Sequence, residues 1–360
     1  MWLVNRGECI ILCPDMTEKY CITGIICLIA AALLWSCGNS DSKKGINTGS
    51  MHQDTLADYG IPLLQLLDEQ IARHPDSAEL YFKRAEALQK LGNSGKARAD
   101  AAEAIRKDSF RAAYYRLLAE IYFASEEFTR ALQTLETGRQ KLPDDVSLML
   151  ETAKYYYIIG EKQKSIRLLD SVLMKNISNP YAYFYKGMIF KEIGDTSRAI
   201  SSFQTAIEQN PGYYEAYMQL GLLFSKKNDP VAIDYFSNAL KIDSTSEEAL
   251  YGMALFYQNQ GNYKQAKQLY RKMIMQFPQG KRAFYNMGYI YFLEDSLDKA
   301  ERNFDLALKV APDYTEAYYM LGLCAERKNQ TETARYYYRQ SLNLKPDYQL
   351  ALDGLQRVDK

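Results

Sequence analysis

Two histidines and six cysteines are the residues of this chain best suited to acid–base, nucleophilic or metal chemistry. Their placement supports none of it. His52 and His74 are far apart, and no third ligand or carboxylate pattern joins them into a constellation. Cys9, Cys13, Cys21, Cys27 and Cys37 crowd the first 37 residues, and Cys324 stands alone beyond them. A structural zinc site wants four clustered ligands, so Cys9 and Cys13 are too few and too isolated. With the leader removed, at most Cys37 and Cys324 remain, which excludes a disulfide framework. No histidine or other base accompanies Cys324, so it reads as a buried inert thiol. Gly92-Asn93-Ser94-Gly95-Lys96-Ala97 carries the glycines and lysine of a phosphate loop in the wrong spacing. Such a loop needs four residues between its glycines and Ser or Thr after the lysine. Pairs of Asp and Glu are scattered as on solvated helical faces. The expectation is a non-enzyme with no cofactor and no metal.

The composition narrows the partners. Lys+Arg and Asp+Glu balance at 44 each over 360 residues, and no basic stripe stands out. Nucleic-acid binding is therefore not expected. An apolar fraction of 47% is ordinary for a folded chain. The aromatic content is less ordinary, with 30 Tyr and 14 Phe but only 2 Trp. The length admits two globular domains or one long array of repeats.

From Ile22 to Trp35 the chain is nearly unbroken apolar. That is short for a membrane span, which needs about 20 apolar residues, and suits the core of a secretory signal. Leu34-Trp35-Ser36-Cys37 then resembles a bacterial lipoprotein signal. Leu34 and Ser36 match that pattern, and Trp35 departs from it. The resemblance implies cleavage after residue 36, lipid on Cys37, and, with Gly38 next, the outer membrane of a bacterial cell envelope. The alternatives are an uncleaved signal anchor and cleavage without lipid. Met16-Thr17-Glu18-Lys19-Tyr20 would make a normal start for such a signal, so translation is expected to begin at Met16. Residues 37–57, rich in Gly, Asn, Ser, Asp and Lys, read as a flexible tether with a reach of roughly 25 Å.

Periodicity organises the rest. Ala97, Ala131, Ser165, Ala199, Ala232, Ala266, Ala300 and Ala334 recur at steps of 34, with a single step of 33 before Ala232. Twelve positions earlier lies a small residue in all but the shortened unit, where it is eleven: Ala85, Ala119, Ala153, Gly187, Gly221, Ala254, Gly288 and Gly322. Four positions before each small residue sits a large apolar one, from Tyr81 to Tyr318. Most units close on proline or a small polar residue. Apolar spacing of i, i+3, i+4 and i+7 gives two amphipathic helices per unit. One unit cannot bury its apolar face alone, so neighbours share it. This resembles the tetratricopeptide repeat over residues 78–348. The resemblance implies an all-α, right-handed superhelical solenoid of eight helix-turn-helix units: 78–111, 112–145, 146–179, 180–213, 214–246, 247–280, 281–314 and 315–348. Residues 58–77 read as a half-repeat in front, and 349–360 as a capping helix behind. The short fifth unit is expected to have a shortened inter-helix turn near Asn228-Asp229-Pro230, and the late Pro180 to change the twist locally.

In this family the first helices line a concave surface that binds peptides. The resemblance therefore implies a groove along Phe82, Arg116, Leu150, Phe184, Met218, Tyr251, Tyr285 and Tyr319. Phe123, Tyr157, Met188, Leu222, Tyr289 and Phe292 lie nearby. An exposed apolar strip of this length marks a binding site unless something covers it. Phe82 and Glu86 stand where chaperone-binding members carry a carboxylate clamp, so no chaperone adaptor is expected. The function expected is a scaffold for partner proteins, tethered to the membrane at Cys37. The alternative is glycan binding on the tyrosines.

Overall fold

The structure is a computed structural model, and residues 53–359 of it are described. The leader, Cys37 and residues 38–52 lie outside these. Among the described residues the chain is all helix, in two compact units that meet between Tyr155 and Tyr156.

The first unit opens with α1 (Gln53–Arg73), followed by α2 (Ala78–Lys90), α3 (Ser94–Lys107), α4 (Ala112–Ala124), α5 (Phe128–Lys141) and most of α6 (Val146–Ile158). Helix α1 starts at Gln53, inside the stretch expected to be a flexible tether, so residues 53–57 are helical. Arg84 of α2 ties the unit together: its Nε and Nη2 donate to Asp100 at 2.6 and 2.8 Å, and its Nη1 to Asp68 at 2.6 Å.

The second unit continues through α7 (Lys162–Lys175), α8 (Pro180–Glu192), α9 (Thr196–Gln209), α10 (Tyr214–Lys226), α11 (Val231–Ile242) and α12 (Glu247–Asn259). It closes with α13 (Tyr263–Gln276), α14 (Lys281–Leu293), α15 (Leu297–Val310), α16 (Thr315–Arg327), α17 (Thr331–Leu344) and α18 (Gln349–Val358). The all-α helical-repeat solenoid expected from the 34-residue register is the fold observed.

Small residues let the two helices of a repeat approach. Ala97, Ala131, Ser165, Ala199, Ala232, Ala266, Ala300 and Ala334 are all fully buried. Each turn inside a repeat ends its first helix with one left-handed residue: Gly92, Glu126, Gly160, Gly194, Asn228, Gly261, Asp295 or Asn329. In every case the next N–H reaches back five residues, as Asn93 does to the Leu88 carbonyl at 2.8 Å and Gln330 to that of Ala325 at 2.9 Å. This Schellman geometry satisfies carbonyls that the helix end would orphan. Gly92 and Asn93, which looked like half a phosphate loop, are this turn, and the Asn93 side chain caps α3 at the Lys96 N–H.

One local expectation is corrected. The missing residue of the fifth repeat does not shorten its turn, which keeps Lys227, Asn228 and Asp229 in the same roles. It is taken from α11, whose first turn tightens: Ala232 N–H bonds the Asp229 carbonyl three residues back, where Ala97 bonds Asn93 four back. Pro180 occupies the first position of α8, where a missing N–H is harmless, behind the capping side chain of Asn179.

Candidate functional site

Among the described residues no group of three His, Cys, Asp or Glu side chains could hold a metal ion. Cys324 is fully buried, and burial pushes its thiol up to about 12, far from a reactive thiolate. The candidate site is therefore a surface, built on the first helices of the repeats.

In the first unit the expected column is uneven. Phe82 is half-buried, its ring 5.1 Å from that of Tyr114 on the next first helix. Arg116 is exposed and makes no ion pair within the described residues. Phe123 is buried edge-on between Phe128 and Tyr155, at 5.1 and 5.0 Å.

In the second unit the column is largely consumed by packing between repeats. Phe184 lies 4.9 Å from Tyr213, Tyr285 5.1 Å from Tyr314, and Tyr319 5.7 Å from Tyr348. Tyr213, Tyr314 and Tyr348 each stand just before the first helix of the following repeat, so each lays its ring on the column residue behind it. Tyr251 has Gly280 at the corresponding place and is covered instead by the Arg282 guanidinium, 4.6 Å from its centroid. Met218 is buried. Tyr157 is buried with its hydroxyl donating to Glu192 at 2.5 Å, and Phe292 is buried under Arg327. Phe123, Tyr157, Met218 and Phe292 thus form packing floor, not the open strip their spacing suggested. Ring pairs of this kind add about 0.5–1.5 kcal/mol beyond burial, which explains why the column is aromatic without any ligand.

A second apolar line lies one helical turn further along. Met188, Leu222, Leu255, Tyr289 and Leu323 hold the same position on α8, α10, α12, α14 and α16. Leu222 is 46% exposed and the others are half-buried. The first helices α10 and α12 touch, as do α14 and α16. Of these five only Tyr289 belongs to the principal expected site. Met188 and Leu222 were neighbours of it, and Leu255 and Leu323 were missed. The signal was present, since all five obey the repeat register.

The same position in the first unit carries charge: Glu86 and Glu120, then Lys154, which is buried beside Glu151 at 3.0 Å. Burial raises the carboxyl of Glu120 above its ordinary range, with the Glu151 charge adding to the shift, and burial raises Glu86 likewise.

Comparison with known proteins agrees with this architecture. Three family models described as tetratricopeptide repeat match residues 82–146 and 184–247, 231–287, and 282–347. A BBSome complex member BBS4 homolog from Drosophila melanogaster is 27% identical over 145 residues, 40% of this chain and 30% of that protein. Human tetratricopeptide repeat protein 13 is 27% identical over 178 residues, 49% of this chain and 16% of that protein. The chain thus spans less than a third of the length of either relative. Among solved structures, the APC/C hetero-tetramer Cut9-Hcn1 aligns with a TM-score of 0.50 at 17% identity, covering 86% of this chain and 60% of that one. With eight units in register, paired helices throughout, and family models matching most of that span, the chain belongs to the tetratricopeptide-repeat family.

Proposed function

We propose that this chain is a non-catalytic scaffold of a bacterial cell envelope, anchored by lipid at Cys37, that holds partner proteins on the first-helix face of its repeats. The observation that carries the binding role is the apolar register from Met188 to Leu323 on five successive first helices, open at Leu222, which is 46% exposed. An apolar surface repeated through five first helices is unfavourable in water unless a partner covers it. The anchor rests on Leu34-Trp35-Ser36-Cys37 behind the apolar run from Ile22, and Gly38 favours the outer membrane. Anchoring would hold the strip near one membrane and raise the local concentration of whatever it binds.

Native-membrane crosslinking of the full chain beside a Leu222→Asp, Leu255→Asp variant tests the binding role. A defined set of proteins captured by the parent and lost from the variant supports it; an unchanged set removes it. The anchor has its own test, because Trp2 and Trp35 both precede Cys37. Mature protein should show no tryptophan emission and should carry fatty acid that Cys37→Ser abolishes. Strong tryptophan emission from membrane-extracted protein would mean that the leader stays.

A further inference from the structure

Acid and base balance over the whole chain, but not around α13. From Ala249 to Leu293 there is no Asp or Glu, while Lys264, Lys267, Arg271, Lys272, Lys281 and Arg282 all fall in that stretch. Lys267 pairs with Glu294 at 2.7 Å, Arg282 pairs with Glu247 at 3.0 Å, and Lys281 lies over the Tyr314 ring at 4.4 Å. Lys264, Arg271 and Lys272 are exposed and make no ion pair within the described residues. Helix α13 turns Ala266, Tyr270 and Met273 into the core, so these three cations share its outward face with Gln268. That face ends on Met275, which is 84% exposed. Met174 holds the same register position three repeats earlier and is 81% exposed, with Ile177 just behind it at 74%. No large apolar side chain of the second unit is more exposed than these three. In the repeats on either side of Met275 the position is Lys241 and Lys309, so the register itself does not require an apolar residue there.

Arg271 and Lys272 stand four and three residues before Met275, so they neighbour it on the helix surface, about one turn or 5.4 Å back along the axis. A polyanion in water satisfies the cations but gains nothing from a thioether raised clear of the surface. An anionic lipid surface uses both. Its charge attracts Lys and Arg held near the headgroups. An apolar side chain buries itself about 5–10 Å into the boundary between headgroups and acyl chains. The long stems of Lys and Arg let their charges stay at headgroup level while the helix end sinks. From these observations we infer that the second unit rests the C-terminal end of α13 on an anionic lipid surface, with Met275 entering the acyl boundary and Arg271 and Lys272 meeting the headgroups. The contact lies on a second helix, and needs neither the first-helix face nor lipid at Cys37.

The test uses the full chain with the photocrosslinker p-benzoylphenylalanine in place of Met275, or in place of Ile193 as the control. Ile193 is also exposed and belongs to the second unit, but it follows α8 in a turn inside a repeat, at the opposite edge from Met275. The chain is mixed with vesicles of phosphatidylcholine, with or without phosphatidylglycerol, illuminated, and its lipid adducts are counted by mass spectrometry. Comparing two positions of one unit cancels whatever Cys37 adds to residence at the membrane. The expected result is at least tenfold more lipid adduct at 275 than at 193 with phosphatidylglycerol present. Without that lipid, or with Arg271→Glu and Lys272→Glu added, the yield at 275 should fall at least fivefold. Circular dichroism checks folding, and the milder pair Arg271→Gln, Lys272→Gln should lower the yield in proportion if the glutamate variant is misfolded. Equal yields at the two positions, or a yield at 275 indifferent to phosphatidylglycerol and to the charge changes, overturns the inference. Illumination in native membranes adds a second check: adducts at 275 that are protein or nucleic acid in place of lipid would also overturn it, and would make α13 an interface for an acidic macromolecule.

Discussion

The ring of Tyr338 lies so close to Gly322 that a methyl group on that glycine would sit 2.5 Å from the ring's Cε1. The other face of the ring is bounded by Gly354, where an added methyl would meet Cζ at 2.7 Å. The same relation holds between Gly187 and Phe203, Gly221 and Phe236, and Gly288 and Phe304, at 2.7 to 2.8 Å. In the first unit the corresponding small residues are alanines, Ala85 and Ala119, and the residues sixteen further on are Ala101 and Leu135. Glycine on one helix is thus matched to a ring on the other, and alanine to a smaller side chain. Ala254 departs from this, sharing a buried cluster with Tyr270, whose hydroxyl donates to Gln258 at 2.9 Å.

Gly322→Ala should therefore destabilise the second unit. Overpacking costs about 1–3 kcal/mol, and the helix preference for alanine returns up to about 1 kcal/mol. A net loss of about 1–2 kcal/mol is expected in urea unfolding. Adding Tyr338→Leu should recover part of it, since the smaller side chain makes room for the methyl. A double variant no better than the sum of the two singles would count against steric matching.

Glu126 holds a left-handed turn at φ 60°, a position where four of the eight repeats use glycine. A non-glycine residue there carries a steric penalty of about 1–2 kcal/mol. Glu126→Gly should stabilise the first unit by about 0.5–1 kcal/mol, allowing for glycine's greater freedom when unfolded. The mirror experiment, Gly160→Ala at φ 82°, should destabilise the second unit. Thermal melts that move in the opposite directions would refute the assignment.

Glu120 gives a pH signature. Its folded-state carboxyl is raised above the unfolded value by burial, then by Glu151, so the folded state holds the proton more tightly. Stability from this group is present at acid pH and falls as pH rises from the unfolded value of about 4.3 through the raised folded one. Glu120→Gln removes that loss. The variant should melt higher than the parent at pH 7, and the gap should close near pH 4. A gap that is constant with pH would show that titration of Glu120 is not its cause.

Cys324 should not react with a water-soluble disulfide reagent in the native protein at pH 8, because it is fully buried and its thiol titrates at about 12. In denaturant it should react at the rate of an ordinary thiol. Rapid native labelling that persists in a Cys37→Ser variant would mean that the second unit opens readily around α16.

The sequence by itself determined the architecture. A step of 34 residues, broken once, marked the helix pairs, the small residues at their crossings and the family, because a packing repeat must recur wherever the same contact recurs. It also set one aromatic face on the first helices. Only the tertiary structure decided which residues of that face are open. Phe184, Tyr285 and Tyr319 look available in sequence, yet Tyr213, Tyr314 and Tyr348, each at the start of the following helix, lie on them. Periodicity reports which way a side chain points from its own helix, whereas burial depends on what a neighbouring repeat lays over it. For the same reason spacing alone did not single out Leu255 and Leu323, both half-buried.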